Sequence, residues 1–534
     1  MGKSKGMPRP GVALVAAVLV LASGCMVGPD YVRPPAPAAD HWLSSDPRLE
    51  GEGVETARWW HAFGDPALDA LVETAYRQNL TLRAAGLRVI QAQARRGIAI
   101  GGLFPQTQAL SGSASHTRSS LNGLNAIPGD RDFNLFRAGF DAAWELDFWG
   151  RFRRSIEAAD ADLLASLADY DQALVTLVGE VAATYTQVRV LEERRTIAHQ
   201  NVGVQRDSLE VVRTRFEAGG TTDLDVQQAT TLLEDTESTI PGLDIQLRAA
   251  LDSLSVLLGV PPADFADVLA QSSGIPVAPP AVAVGIPAEL LRRRPDVRRA
   301  ERQVAAQSAR IGVAVADLLP RFELTGSVGL SAEDAARFFE GRSFEGLGGA
   351  RFDWPILNYG RLIGNVRVQD ATFQELATAY ADTVLRAQQE VEDSIVGYLR
   401  GTDQVTHLAR SVEAADRAVE LADIQYRGGS TDYTRVLTAL QSKLQESDRL
   451  TSTRGAVALN VIALYKALGG GWELRDGQEL VPAATTQEMR ERTWWGRELD
   501  TRTQAKDVDA AASGTEQDRR PGPLRWRWWW PKWW

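Results

Sequence analysis

Hydrophobic residues recur at steps of three and four along two long stretches of this chain, residues 151–215 and 361–426. In the first stretch these positions are Leu163, Leu167, Tyr170, Leu174, Leu177, Val181, Tyr185 and Val188. This spacing predicts amphipathic helices, and 65 helical residues would extend about 100 Å. Helices of this length with heptad-like seams pack as coiled coils rather than around a compact core.

Each long helix is predicted to reverse at a glycine-containing turn. The turns cover residues 217–223 around Gly219 and residues 427–432 around Gly429. Returning helices then follow, and the glycines of Gly259-Val260-Pro261-Pro262 and Gly469-Gly470-Gly471 stop them, as glycine just past a helix end does. The chain is therefore expected to contain two long helical hairpins, separated by a Pro- and Ala-rich linker at 261–285.

Four other segments, at about 106–118, 134–146, 321–331 and 344–354, alternate apolar and polar residues. In the second segment Phe136, Phe140 and Trp144 share one face, and Arg137, Asp141 and Glu145 share the other. Alternation of this kind predicts strands. It fits a half-buried soluble sheet, and it equally fits a membrane strand with its apolar face toward lipid and its polar face toward a wet lumen.

The membrane alternative has a consequence for the number of chains. After residue 24 no apolar run approaches the roughly 20 residues of a spanning helix, so a membrane crossing would need strands closed into a barrel. The smallest membrane barrels use about eight strands. Four strands per chain would therefore require several chains to share one barrel, with residues 119–131 and 332–343 as external loops.

The second half of the chain repeats the first. After the strands the offset is 210: Trp144, Gly150, Leu258 and Gly259 recur as Trp354, Gly360, Leu468 and Gly469. Before the strands it is 215, as in Pro105 and Pro320, so a five-residue difference is expected inside the strand pair. A constant offset over many landmarks indicates a tandem duplication. The first repeat covers residues 63–260 and the second covers 286–472.

The first 24 residues have the features of a secretory signal, with Lys3, Lys5 and Arg9 before an apolar run from Val12 to Leu21. Removing them leaves 55 basic and 69 acidic residues, a net charge of −14. This negative net charge argues against binding to nucleic acid, which requires a basic surface. We expect an exported, mildly acidic protein.

Cys25 is the single cysteine of the chain, which excludes an intrachain disulfide. It follows Leu21-Ala22-Ser23-Gly24, a context similar to a bacterial lipobox. We predict that its thiol carries lipid and that residues 25–62 form a lipidated N-terminal extension; an unmodified thiol is the alternative. Each buried methylene of an acyl chain contributes about 0.8 kcal/mol to membrane binding.

Several motifs together resemble a known family. They are Gly28-Pro29-Asp30-Tyr31 after Cys25, Phe63-Gly64-Asp65-Pro66-Ala67-Leu68, Tyr426-Arg427-Gly428-Gly429, and Leu464-Tyr465-Lys466-Ala467-Leu468-Gly469-Gly470-Gly471-Trp472. In order and on the duplication, they resemble TolC-like outer-membrane efflux lipoproteins.

This resemblance implies an α+β membrane protein in which the duplicated helical hairpins form an α-barrel. Four strands per chain would contribute to a twelve-stranded β-barrel shared by a homotrimer. The trimer would be anchored in the outer membrane, extend into the periplasm, and meet a periplasmic adaptor and an inner-membrane pump. Its function would be the export of drugs or other small molecules.

The resemblance also implies a gate beside the two turns, where Asp225 and Tyr426 would tie neighbouring coils together. The family's constriction positions, which carry acidic or bulky aliphatic residues, fall on Thr434, Arg435 and Thr438, so a cation-binding acidic ring is not expected. Asp225 also has an ordinary explanation, because acids are favoured at helix N-termini.

Signs of catalysis are lacking in the sequence. The five histidines are dispersed without metal-ligand spacing, and nucleotide- or hydrolase-type motifs do not occur. We therefore expect no enzyme and no cofactor beyond the lipid on Cys25. A structural or adaptor lipoprotein that bridges the periplasm with coiled coils is the alternative of another class, although it leaves the alternating strands unexplained.

The last segment, residues 473–534, is predicted to be a disordered tail because much of it is polar. Its end, from Leu524 to Trp534, holds six tryptophans and three cations. Trp and Arg prefer the membrane–water interface, so this end resembles membrane-active peptides; an extension without a role is equally compatible.

Overall fold

A computed structural model describes residues 26–49, 56–118, 132–285 and 292–492. The predicted signal, Cys25 and the Trp-rich end lie outside these ranges. The helices are α1 (Pro66–Gln78), α2 (Leu80–Gly101), α3 (Arg151–Glu217), α4 (Asp223–Leu258), α5 (Ala266–Leu269), α6 (Pro295–Ala316), α7 (Arg361–Arg427), α8 (Tyr433–Ala467) and α9 (Ala483–Glu491). The strands are β1 (Thr107–Arg118), β2 (Asp132–Leu146), β3 (Arg321–Ala332) and β4 (Phe344–Asp353).

The long helices and the four strands lie where the sequence patterns predicted them. Helices α3 and α7 each have 67 residues and each is followed by a returning helix, α4 or α8. The strand bounds differ from the predicted ones by no more than two residues. Within the described ranges, the helices include none apolar and long enough to cross a membrane.

Contacts divide the chain into two compact units, and each unit takes segments from both repeats. Unit 1 comprises residues 1–36, 91–166 and 299–382, and unit 2 comprises 37–90, 167–298 and 383–534. The boundaries of the sequence repeats are therefore not the boundaries of the packed units.

Unit 1 contains one antiparallel sheet in the order β1-β2-β3-β4. Thr107 faces Ala143 in the first hairpin, and Arg321 faces Asp353 in the second. Residues of β1 thus reappear in β3 214 positions later, and residues of β2 reappear in β4 210 positions later. The sequence analysis placed the whole five-residue difference between the repeats inside the strand pair, and this needs correction. The first repeat has one extra residue before β1 and four extra residues in the connection between β1 and β2. Because both offsets are even, the apolar face stays on one side of the sheet.

The N-terminal segment of unit 1 is held by a buried arginine. The Arg154 side chain is 1% exposed; its guanidinium donates to the Val27 carbonyl at 3.1 Å and to the Asp30 carboxylate at 2.8 Å. Gly28 (φ +91°) approaches Gly312 so closely that a Cβ on Gly28 would lie 2.3 Å from the Gly312 Cα. The Gly-Pro-Asp motif therefore packs against Arg154 and Gly312, and any side chain at position 28 would clash with Gly312.

In unit 2 the Phe63-Gly64-Asp65-Pro66 motif starts α1. The Asp65 carboxylate accepts from the backbone amides of Ala67 and Leu68 at 3.0 and 3.2 Å, as an N-cap does. It also accepts from the Tyr185 and Ser272 hydroxyls, each at 2.6 Å. One buried carboxylate thus joins the helix start to α3 and to the linker.

The prediction of a disordered tail is wrong for residues 473–492. Arg475 is 1% exposed and donates to the carboxylate of Asp171, which is 0% exposed and also accepts from Arg298 at 2.7 Å. Leu480 and Val481 are buried, and α9 follows. The composition of this segment is polar, but a shared buried carboxylate and two apolar side chains fix its position.

Candidate gate at the helix turns

The turns at Gly219 and Gly429 have the same backbone geometry. Both glycines have φ +74°, a left-handed conformation that glycine adopts without steric cost. Hydrogen bonds from the Gly220 amide to the Arg215 carbonyl (2.7 Å) and from the Gly219 amide to the Phe216 carbonyl (2.9 Å) form a Schellman motif. The Gly429 turn has the matching pair of bonds at 3.0 and 2.9 Å. Both long helices therefore end in the sharp reversal that the sequence predicted.

Asp225 lies in the first turn of α4, where its carboxylate completes a capping box with Thr222. It accepts from the Thr222 amide at 3.3 Å, and the Thr221 and Thr222 hydroxyls also donate to it. These bonds satisfy groups that a helix start leaves free. Within its own chain, Asp225 thus stabilises the turn and the start of the returning helix.

Tyr426 lies in the last turn of α7, with its side chain 3% exposed. The guanidinium carbon of Arg215 lies 4.5 Å from its ring centroid, and the same guanidinium donates to the Tyr426 carbonyl. The Tyr433 ring packs edge-on at 5.5 Å. The Tyr426 hydroxyl is buried without a hydrogen-bond partner among the described residues.

An apolar cluster above the turns takes side chains from all four long helices. Its buried members are Val202, Leu209, Val212, Ala229, Leu232, Leu233, Tyr426, Tyr433, Val436 and Leu440. Burial in this cluster raises the pKa of Tyr433, and the charge of Asp225 adds to that effect. Tyr433 thus packs directly against one predicted gate residue, Tyr426, and is influenced by the charge of the other, Asp225.

Thr434, Arg435 and Thr438 lie on the exposed face of α8. The Thr438 hydroxyl donates to the Thr434 carbonyl at 2.8 Å, so it is satisfied within the helix. The side chain of Arg435 is exposed to solvent in the single chain. In the described parts of the chain, groups of three or more His, Cys, Asp or Glu side chains that could hold a metal ion do not occur.

Arg215 is the residue of this cluster that the sequence analysis missed. A basic residue in the last turn of a helix is favoured by the helix dipole, and that position was its only signal. In the structure it joins the ends of α3 and α7, which belong to different hairpins. The contacts of Arg215 and Tyr426 therefore tie together the ends of two helices from different hairpins.

Comparison with known proteins places this architecture among channels. A family model described as outer membrane efflux protein matches residues 71–260 and 286–470. The chain is 33% identical to the pyoverdine export outer membrane protein OpmQ of Pseudomonas putida, over 88% of this chain and 98% of OpmQ. It is 30% identical to the toluene efflux pump outer membrane protein TtgF of the same species, over 88% and 98%.

The solved outer-membrane channel OprN superposes with a TM-score of 0.79 at 32% identity, covering 84% of this chain and all of that one. This likeness confirms the fold expected from the sequence, namely duplicated long helical hairpins combined with four strands per chain.

Proposed function

This chain belongs to the outer membrane efflux protein family and acts as an outer-membrane channel of an efflux system, and we propose that three copies assemble into the conducting unit. The observation that carries the trimer is the sheet. Its order β1-β2-β3-β4 leaves β1 and β4 as edges within the described chain. Four strands are too few for a membrane barrel, whereas twelve fall within the range that such barrels use.

A periplasmic adaptor and an inner-membrane pump are the partners we propose. TtgF, similar over 88% of this chain, is named as the outer membrane protein of an efflux pump. The gate turns are the part of the chain that would meet such partners, because the long hairpins end there. The alternative, a structural or adaptor lipoprotein, does not explain the four-stranded sheet with its two open edges. We propose no enzymatic activity.

We propose small molecules, drugs among them, as the exported compounds. OpmQ and TtgF are named for pyoverdine and for toluene, which are chemically very different. Both relatives are similar to this chain over 88% of its length. Their different compounds support a channel wall of low selectivity, with the exported compound selected by the pump.

The gate itself is proposed to be closed by the clamp at the turns. Arg215 and Tyr426 join the two hairpins of one chain. Losing several such contacts around a ring would shift the balance toward an open entrance, since a hydrogen bond to a charged group contributes about 1.5–3 kcal/mol.

Lipid on Cys25 is proposed as the anchor. Arg154 fixes Val27 and Asp30, so the described chain begins in an ordered segment immediately after that cysteine. Metabolic labelling with palmitate should mark the wild-type chain and leave Cys25→Ser unmarked; equal labelling of both would exclude this site.

The experiment for the channel uses the full-length protein purified from outer membranes. We expect a detergent complex with the mass of three chains that gives discrete conductance steps in planar bilayers. A monomer in the soluble periplasmic fraction of intact cells, or a trimer that never conducts, would overturn the proposal.

A further inference from the structure

A cleft of about 470 Å³ lies among α2, α3, α6 and α7, and every residue that lines it belongs to unit 1. Much of its lining comes from equivalent positions of the two repeats, with the offset of 215 before the strands and 210 after them. The equivalent pairs include Arg95 with Arg310, Ala99 with Ala314, and Ser155 with Asn365. Both repeats therefore turn the same face toward this cleft.

The four helices around the cleft lie side by side. Side-chain contacts join α2 to α3, α3 to α6, and α6 to α7; they are Arg96 with Asp160, Asp162 with Arg310, and Gln307 with Gln369. Because all four helices contribute to one open cleft, the cleft is the concave side of a wall of helices.

The N-terminal segment packs on the other side of this wall. Gly28 lies directly against Gly312 of α6, whereas Arg310 and Ala314, two residues before and after Gly312, line the cleft. Two residues along an α-helix are about 200° apart around its axis, so Gly312 and the cleft are on opposite faces of α6. Cys25, which we propose to carry lipid, immediately precedes the N-terminal segment. That segment is then outside the channel, and the cleft faces its lumen.

Arg310 is neutralised within the cleft, whereas Arg95 is not. The Arg310 guanidinium donates to the Asp162 carboxylate at 2.6 Å. The equivalent of Asp162 in the second repeat is Thr372, an uncharged residue whose hydroxyl donates to a carbonyl of its own helix at 2.9 Å. Arg95 is exposed and has neither an ion pair nor a hydrogen bond with another side chain in the described ranges. The duplication thus has the arginine at both positions and the acid at one.

The second carboxylate of the cleft, Asp317, is also matched by arginine. It pairs with Arg321 at 2.9 Å and with Arg151 at 3.2 Å. Arg151 in turn pairs with Glu145 at 3.3 Å. Among the described side chains around the cleft, the charge of Arg95 is therefore left without compensation.

We propose that Arg95 makes this cleft a binding site for the carboxylate groups of compounds in transit, repeated three times around the lumen. The inference rests on the proposed trimeric channel and names the class of compound that its wall favours. A guanidinium binds carboxylate through two parallel hydrogen bonds, and the Ser155 hydroxyl and the Asn365 amide add neutral donors to the same cleft.

A ring of arginines favours anions over cations. This preference concerns charge alone and does not recognise one compound, which agrees with a wall of low selectivity. The selection of the individual compound remains with the pump.

Reversal potentials of the full-length channel in a KCl gradient across planar bilayers measure this preference. We expect Arg95→Gln to lower the ratio of chloride to potassium permeability about two- to fivefold in roughly 0.1 M salt, where three charges around a lumen are only partly screened. Arg95→Glu should lower the ratio further. Citrate, a tricarboxylate, should reduce the current of the wild-type channel more than that of Arg95→Gln.

Arg96→Gln is the matched control. Arg96 is the next residue of α2, it pairs with Asp160, and neither residue lines the cleft. The control variant loses the same charge, so its permeability ratio should stay at the wild-type value if the position of the charge matters.

A cysteine at position 95 tests the direction of the cleft separately. Methanethiosulfonate reagents added to Arg95→Cys on the external side reach the lumen without passing the gate. A reagent with a sulfonate group should lower the permeability ratio, and one with a trimethylammonium group should restore it toward the wild-type value. Arg96→Cys should not respond, and the wild-type channel controls for Cys25.

The outcomes separate this inference from the proposed function. An unchanged ratio in Arg95→Gln, or an equal fall in Arg96→Gln, would overturn the binding site and leave the channel intact. Equal inhibition of the wild type and Arg95→Gln by citrate would do the same. A response to the reagents at position 96 and not at 95 would show that the cleft lies outside the lumen. A protein that forms no conducting trimer removes the channel and the site together.

Discussion

The guanidinium carbon of Arg215 lies 4.5 Å from the ring centroid of Tyr426, and the same side chain donates to the Tyr426 carbonyl. A cation over an aromatic face contributes about 0.5–2 kcal/mol, depending on how well it is desolvated. Because these residues end α3 and α7, their contact joins the tips of two hairpins of one chain.

Replacing Arg215 should loosen the gate. We expect Arg215→Ala to raise the mean single-channel conductance while the mass of the complex stays unchanged. Arg213→Ala is the matched control, because Arg213 is exposed on the same helix turn. Equal conductance of the two variants in planar bilayers would show that the clamp does not restrict the entrance.

The double variant Asp225→Ala with Tyr426→Phe should also raise conductance. It removes the capping box of α4, a loss of about 0.5–2 kcal/mol, and the buried phenol hydroxyl that has no partner among the described residues. Asp223→Ala with Tyr426→Phe keeps the capping box and isolates the contribution of Asp225. Wild-type conductance of a correctly assembled double variant would remove both residues from the gate.

Arg435 should decide how cations interact with the entrance. Without converging carboxylates a strong oxygen site for a multivalent cation is missing, and a ring of three arginines at a lumen repels cations. We expect weak block by hexammine-type trivalent cations from the periplasmic side, and strong block of Arg435→Asp. Arg435→Gln, which adds no acid, should remain insensitive. Micromolar block of the wild-type channel would contradict this assignment.

Asp171 should be among the most sensitive positions for stability. It is 0% exposed and accepts from Arg298 and Arg475, so Asp171→Asn leaves buried arginine charge without its counter-ion. Breaking a buried pair in this way costs about 3–5 kcal/mol. Asp169→Asn is the control, since Asp169 pairs with Arg88 near the surface, where such pairs contribute about 0–1 kcal/mol. Thermal unfolding of the two variants in detergent should differ clearly.

Alkaline pH should destabilise the helical part of the protein. Burial raises the pKa of the phenols of Tyr170 and Tyr185 far above the ordinary value of 10. Above pH 10 the unfolded chain loses these protons while the folded chain retains them, so the free energy of unfolding falls as pH rises. Absorbance at 295 nm should show these tyrosines ionising only when the protein unfolds at high pH; their titration in the folded state near pH 10 would contradict their burial.

Sequence periodicity predicted the elements because a helix seam and a strand face are local patterns. The turns at Gly219 and Gly429 followed from glycine's access to a left-handed backbone. The contacts of Arg215 with Tyr426 and of Asp171 with Arg475 join residues 211 and 304 positions apart, and no local pattern in the sequence pairs either residue with its partner. The polar composition of residues 473–492 predicted a disordered tail. Composition cannot show that Arg475 in this segment pairs with Asp171, a buried carboxylate 304 residues earlier.

The late position of Arg475 has a consequence for synthesis. Asp171 precedes this partner by 304 residues, so their ion pair cannot form until both repeats have been synthesised. Leu480 and Val481, which complete the same region, follow Arg475. A chain that ends before residue 475 therefore lacks one of the two arginines that neutralise this buried carboxylate. The short segment beyond the second hairpin is thus needed to complete the packing of the first.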